Sequence, residues 1–178
     1  MIVENKKKIL IVIDVQNDFV TGSLGTPEAQ AIVPKVVEKV KEYRSRDDFI
    51  IFTADTHYDD YLETPEGKRL PVPHCIDGTP GHDIIPELNV KPSVIEKVYP
   101  KETFGYKWNI CPWMCCYDVE IAGVCTDICV VTNALVLKTY YPDIEITVDA
   151  SCCAGTTPER HKAALEVMKS CQINVIGE

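Results

Sequence analysis

The sequence predicts an α/β fold: a single-domain, doubly wound, Rossmann-like sheet of six mainly parallel strands with helices on both faces. Short apolar, β-branched runs alternate with stretches of helical periodicity along the chain, which is the rhythm of a parallel sheet covered on both sides. The first run, Ile9 to Ile13, is continuously apolar rather than alternating, as expected of a strand buried on both faces. The 178 residues suit one core, and no internal repeat or low-complexity linker divides 1–178.

The elements follow in order. After the first strand, turn residues from Thr21 to Thr26 lead to Pro27 near the start of a helix with Ala29, Ile32, Val33, Val36, Val37 and Val40 on one face. Phe49 to Asp55 reads as the second strand, and about forty residues rich in Pro, Gly, His and Asp follow it. An irregular stretch of that length in a compact domain usually carries function. Ser93 to Val98 is expected as the third strand, followed by a weaker helical stretch through Met114. Asp118 to Val124 is the fourth strand. Thr126 opens a helix with Ile128, Val131, Ala134, Leu135 and Leu137 on one face, and Pro142 ends it. Ile144 to Ala150 is the fifth strand, Thr157 caps a helix with Pro158 at its first position, and Ile173 to Gly177 is the sixth strand.

Right-handed crossovers favour a doubly wound order with the first and fourth strands adjacent. Ligands of such sheets bind at the carboxyl ends of the strands, where the winding reverses. Asp14 follows the first strand, Asp55 and His57 follow the second, Lys97 ends the third, and "GVCTDICV" (Gly123 to Val130) follows the fourth. Residues capable of chemistry thus converge on one sheet edge.

Lys plus Arg number 18 against 27 for Asp plus Glu, for a net charge of −9, which argues against a nucleic-acid partner. No apolar run reaches the roughly 18 to 20 residues a membrane span needs, and "MIVENKKKIL" runs into the first strand without a cleavable signal, so a cytoplasmic protein is expected. The nine cysteines are odd in number, and their spacings are not those of zinc knuckles. Reduced, mostly buried thiols are expected rather than a disulfide framework.

Cys129 lies in the first turn of its helix, where free backbone N–H groups and the helix dipole favour a thiolate. Such a nucleophile needs a base and a cation, and Asp14 and Lys97 are the natural suppliers, with Lys101 as a rival. Each has a plainer reading taken singly: Asp14 as a carboxylate capping loop amides, Lys97 as a solvated strand terminus, Cys129 as a small buried hydrophobe. For Asp55, His57 and His74 the chemistry is that of a divalent-metal site with open positions.

"LIVIDVQNDF", "TADTHYDD", "PHCIDGTPG", "VIEKV", "IAGVCTDICV" and "VDASCCA" occur in the order found in the isochorismatase-like cysteine hydrolases, and among these the chain most resembles the nicotinamidases. The resemblance covers Ile9 to Val175. It implies a catalytic triad of Asp14, Lys97 and Cys129, and a cis peptide between Val124 and Cys125 that lets the backbone N–H groups of Cys125 and Cys129 form an oxyanion hole. It further implies a metal, zinc before iron or manganese, held by Asp55, His57 and His74. Glu66 stands where some members supply another ligand, with Glu63 a weaker rival, while His82 and His161 match no ligand position. The implied reaction is hydrolysis of a small amide, nicotinamide first, through a cysteine thioester, with a place in pyridine-nucleotide salvage. Many nicotinamidases carry a Trp before the second metal-binding His where this chain has Val72, and Phe19 and Phe104 are expected to supply the aromatic walls. Relatives are often dimers or tetramers, so a homo-oligomer is expected. Another amide, an isochorismatase-type substrate and a catalytically silent binding role stay open.

Overall fold

A computed structural model describes residues 7–178; the expectation about a signal segment falls on residues 1–6 and lies outside them. One sheet of six parallel strands organises the chain: β1 (Lys8–Ile13), β2 (Phe49–Asp55), β3 (Glu96–Lys101), β4 (Asp118–Val124), β5 (Ile146–Ala154) and β6 (Asn174–Ile176). Their order across the sheet is β3-β2-β1-β4-β5-β6, so β1 and β4 are neighbours where the winding reverses. Helices α1 (Asn17–Val20) and α2 (Pro27–Ser45) follow β1, α3 (Val131–Tyr140) follows β4, and α4 (Pro158–Ser170) follows β5.

Strands β1, β2 and β4 carry apolar side chains on both faces because each face meets its own core, with Glu120 of β4 as a buried charged exception. Ile9, Ile11, Ile13 and Ile121 pack with Trp108, Met114, Ala134 and Leu137 on one side. Leu10, Val12, Ile50 and Phe52 pack with Val36, Val40 and Tyr43 of α2 on the other. Strand alternation sends successive side chains to opposite cores, so a continuous apolar run fits only a covered parallel sheet. Thr26 and Thr157 start α2 and α4 by accepting the amides of Ala29 and Arg160, with Pro27 and Pro158 in the first turn.

The third strand begins and ends later than the sequence predicts. Ser93 and Glu96 close a tight turn, with the Ser93 amide on the Glu96 carbonyl at 2.8 Å and the Glu96 amide on the Ser93 hydroxyl at 3.1 Å. The strand then runs through Pro100 to Lys101. A proline is tolerated there because β3 is at the sheet edge and needs donors on one side only. The fifth strand likewise extends through Ser151, Cys152 and Cys153 to Ala154. The weak helical stretch before β4 consists of two short 3₁₀ turns, Trp108–Ile110 and Pro112–Cys116. Cys75, Cys111, Cys129, Cys152 and Cys153 are buried thiols, matching the expectation of core-packed cysteines.

Candidate active site

At the carboxyl end of β1, Asp14 takes a left-handed backbone conformation with φ of 50°, which a short carboxylate tolerates better than most side chains. Its carboxylate is completely buried; Oδ1 accepts the Thr53 hydroxyl at 2.6 Å, and Oδ2 lies 2.7 Å from Nζ of Lys101. The same ammonium donates to Asp55 Oδ1 at 2.9 Å and to Cys129 Sγ at 3.6 Å. Lys101 therefore gathers the ends of β1, β2 and the turn after β4 at one point.

Lys97, the expected member of this cluster, is elsewhere. The β2–β3 register pairs Lys101 with Asp55 and Lys97 with Ile51. Four residues of strand separate them, roughly 13 Å at the usual rise. Lys97 is exposed beside a surface groove lined by Phe49, Ile51, Tyr99 and Trp113, whereas Lys101 is buried. The expectation for Lys97 is corrected to Lys101, because the edge strand continues past Pro100 to the switch point.

Cys129 sits in a turn, Thr126–Val130, wound wider than an α-helix, in which the Val130 amide reaches back to the Cys125 carbonyl at 3.1 Å. This π-type turn replaces the regular helical start predicted at Thr126; such turns recur at functional sites. The peptide between Val124 and Cys125 is cis. Gly123 precedes it with φ of 126°, and a Cβ there would lie 2.1 Å from the Ile13 carbonyl oxygen, so β4 approaches β1 at a distance only glycine permits. Asn133 braces the turn by donating to the Cys129 carbonyl at 2.7 Å and the Phe104 carbonyl at 3.0 Å. Asp127 accepts the amide and hydroxyl of Thr156 at 2.7 and 2.6 Å. His161, which matches no ligand position, braces the turn from α4, its Nδ1 2.8 Å from the Thr126 hydroxyl.

The charges follow from burial. Desolvation drives the Cys129 thiol well above its ordinary value, and the Asp14 charge adds to this while Lys101 opposes it. Asp14 is also raised, chiefly by burial, with Lys101 pulling it down and Asp55 pushing it up. Burial disfavours the Lys101 ammonium, yet Asp14, Cys129 and Asp55 together outweigh that and hold the lysine charged. The resting cluster thus pairs a thiol with an ammonium and a carboxylate of raised basicity.

Asp55, His57 and His74 bring one ligand atom each to within 4.8 Å of one another. His57 Nε2 lies 3.0 Å from Asp55 Oδ2 without an aligned hydrogen bond, leaving a buried imidazole nitrogen unsatisfied. His74 Nε2 is 3.7 Å from the same oxygen, while its Nδ1 donates to the Val72 carbonyl at 2.8 Å, which leaves Nε2 as the bare nitrogen. Glu66 Oε1 approaches both imidazoles, at 3.8 Å from His57 and 3.9 Å from His74; Glu63 is exposed. An orphaned nitrogen, a second bare nitrogen and a carboxylate fit a divalent metal with open positions.

Sequence reasoning missed the residues that hold these ligands. Gln16 clamps the backbone of Asp55 from both sides, accepting its amide at 2.7 Å and donating to its carbonyl at 2.9 Å, and donates also to the His82 carbonyl at 2.7 Å. Asp18 accepts the Cys75 amide at 2.8 Å, fixing the turn that presents His74. Their only sequence signal is membership of "IDVQNDF".

Both clusters open into one cavity of about 750 Å³. Asp55, His74, Cys125 and Cys129 line it together with Phe19 and Phe104, and Phe19 meets the His74 ring edge-on at 5.5 Å. The predominantly apolar lining with a few convergent polar groups suits a small aromatic ligand.

A family model described as the isochorismatase domain matches residues 8–109 and 116–177. The chain belongs to the isochorismatase family. It is 29% identical over 194 residues to the nicotinamidase/pyrazinamidase of Mycobacterium tuberculosis, covering 95% of this chain and 98% of that one. The crystal structure of the nicotinamidase/pyrazinamidase of Bacillus subtilis superposes with a TM-score of 0.85 at 27% identity, over 95% of this chain and 98% of that one. The pyrazinamidase of Pyrococcus horikoshii in complex with zinc gives 0.81 at 27% identity, over 97% and 99%. No helix among the described residues is long and apolar enough to cross a membrane.

Proposed function

We propose that this chain, as one hydrolase domain, is a nicotinamidase that cleaves nicotinamide to nicotinic acid and ammonia. The observation that carries the reading is the sharing of one cavity by the Asp14–Lys101–Cys129 cluster and the Asp55–His57–His74 cluster. The relatives named nicotinamidase support the substrate, and the zinc complex of the Pyrococcus horikoshii neighbour supports zinc as the metal. Asp55, His57 and His74, with Glu66 as a further ligand, would hold a zinc ion, which would supply an anchor for the pyridine nitrogen.

Asp14 takes the thiol proton of Cys129, for which its raised basicity suits it, and the Lys101 ammonium stabilises the thiolate. The thiolate attacks the amide carbon, and the backbone N–H groups of Cys125 and Cys129 receive the developing oxyanion; in other enzymes one such donor is worth about 3 to 4 kcal/mol. Asp14 returns the proton to the departing nitrogen as the C–N bond breaks, leaving ammonia and a thioester. Asp14 then takes a proton from water, the hydroxide attacks the thioester, and the C–S bond breaks. Nicotinic acid leaves and the thiol is restored.

The test is ammonia release from nicotinamide, with and without a chelator. Release that disappears in Cys129→Ala and persists in Cys125→Ala supports a nucleophilic sulfur at Cys129 and a backbone role for Cys125; equal loss in both refutes that division. Full activity in demonstrably metal-free protein refutes the pyridine anchor.

A further inference from the structure

The cavity holds two cations that hydrolysis of a neutral amide does not use. Arg69 and Arg160 both line it. Arg69 comes from the loop that carries Glu66, and Arg160 from the first turn of α4 beside Thr156; both are exposed, so they reach the cavity from separate segments at its solvent side. Neither guanidinium forms an ion pair among the described residues; Arg160 instead donates to the Thr156 hydroxyl, at 3.3 Å. The two carboxylates that line the cavity, Asp55 and Glu66, face the imidazole cluster. In a chain of net charge −9, the lining of this cavity carries two exposed arginines that no carboxylate among the described residues pairs.

Size points the same way. A single pyridine ring with its carboxamide fills a small part of about 750 Å³, a volume that accommodates considerably larger ligands. Guanidinium groups bind carboxylate and phosphate through paired N–H donors, and nothing in nicotinamide itself offers such an acceptor at a distance from the amide.

We infer that Arg69 and Arg160 form an anion-receiving subsite, and that the enzyme accepts aromatic carboxamides bearing a second, negatively charged substituent on the ring. This rests on the amidase reading of the site and extends it. The anion is bound without being transformed, so the chemistry at Cys129 is unchanged.

The experiment compares nicotinamide with 5-carboxynicotinamide as substrates of the metal-loaded wild type, Arg69→Gln, Arg160→Gln and the double variant. The expected result is hydrolysis of both by the wild type, with the double substitution raising KM for the carboxylated amide about tenfold, as for loss of a charge-assisted contact, while nicotinamide changes less than about twofold. An equal change for both amides overturns the subsite, as does a wild type that cleaves nicotinamide and fails to bind the carboxylated amide. Ammonia from neither amide overturns the amidase activity instead. Calorimetric binding of 5-carboxynicotinamide then decides the subsite independently: about tenfold weaker binding to the double variant supports it, and equal binding overturns it.

Discussion

Nζ of Lys101 lies 2.7 Å from Oδ2 of Asp14 while both side chains are almost wholly sealed from solvent. An ion pair so placed is balanced only as a unit, since removing one partner leaves an unpaired charge in a medium that cannot solvate it. Replacing Lys101 with Met is expected to lower kcat/KM for ammonia release by about a hundredfold or more, because the thiolate loses its counter-ion. Lys97→Met, at the exposed position, should stay within about twofold of wild type. Steady-state kinetics on the two variants separates the assignments; a larger loss at Lys97 would reverse them.

Asp14 has to be ionised before it can accept the thiol proton, and burial raises its carboxyl above the ordinary value of 3.8. A raised pKa means that the competent carboxylate is lost as pH falls through that higher value. The acid limb of kcat/KM is therefore expected to have its midpoint above about pH 4. Asp14→Asn should abolish activity across the whole profile rather than shift it.

Gln16 holds both the amide and the carbonyl of Asp55. Gln16→Ala leaves buried peptide groups unsatisfied at about 1 to 3 kcal/mol each. The expected outcome is a lower melting temperature together with weaker metal retention in a chelator titration. Gln16→Glu, which keeps the acceptor and loses the donor, should fall between wild type and Ala.

On the far side of the sheet Lys39 pairs with Glu120 and, at 2.8 Å, with Asp149, while the Tyr43 hydroxyl donates to Glu120 at 2.7 Å. Burial pushes the Asp149 carboxyl up, but hydrogen bonds from Lys39 and Ser151 outweigh it and hold the group below its ordinary 3.8. A depressed folded-state pKa contributes stability that is present above the unfolded value and lost as pH falls toward the folded one. Urea melts of wild type and Asp149→Asn should therefore differ most above about pH 5 and begin to converge only as pH falls below about pH 4. A constant difference down to about pH 3 would mean that Asp149 acts through packing alone.

The residues legible from sequence are those whose neighbours in the chain announce them. A continuous apolar run ending in an acid marks Asp14, and the alternation of strands and helices brings Asp55, His57 and Cys129 to one edge. Thr157 and Pro158 mark the start of α4 because caps are local. The sequence favours Lys97 over Lys101 because Pro100 looks like the end of a strand, and only the neighbouring pairing reveals an edge strand that tolerates it. The wide turn around Cys129 shares its periodicity with an ordinary helix start, so the difference emerges from the backbone alone.

By itself, then, the sequence determined the layered fold, the candidate nucleophile and its acid, since these depend on short-range pattern and on the rule that parallel sheets present their strand ends together, while the trio of candidate metal ligands rested also on the family resemblance. Tertiary structure decided which lysine joins them, how Gln16 and Asp18 hold the ligands, and that two arginines face the same cavity. Those outcomes depend on register and on partners far apart in the chain, 28 residues for Lys101 and Cys129 and 39 for Gln16 and Asp55, and pairing energies across such separations leave no local trace.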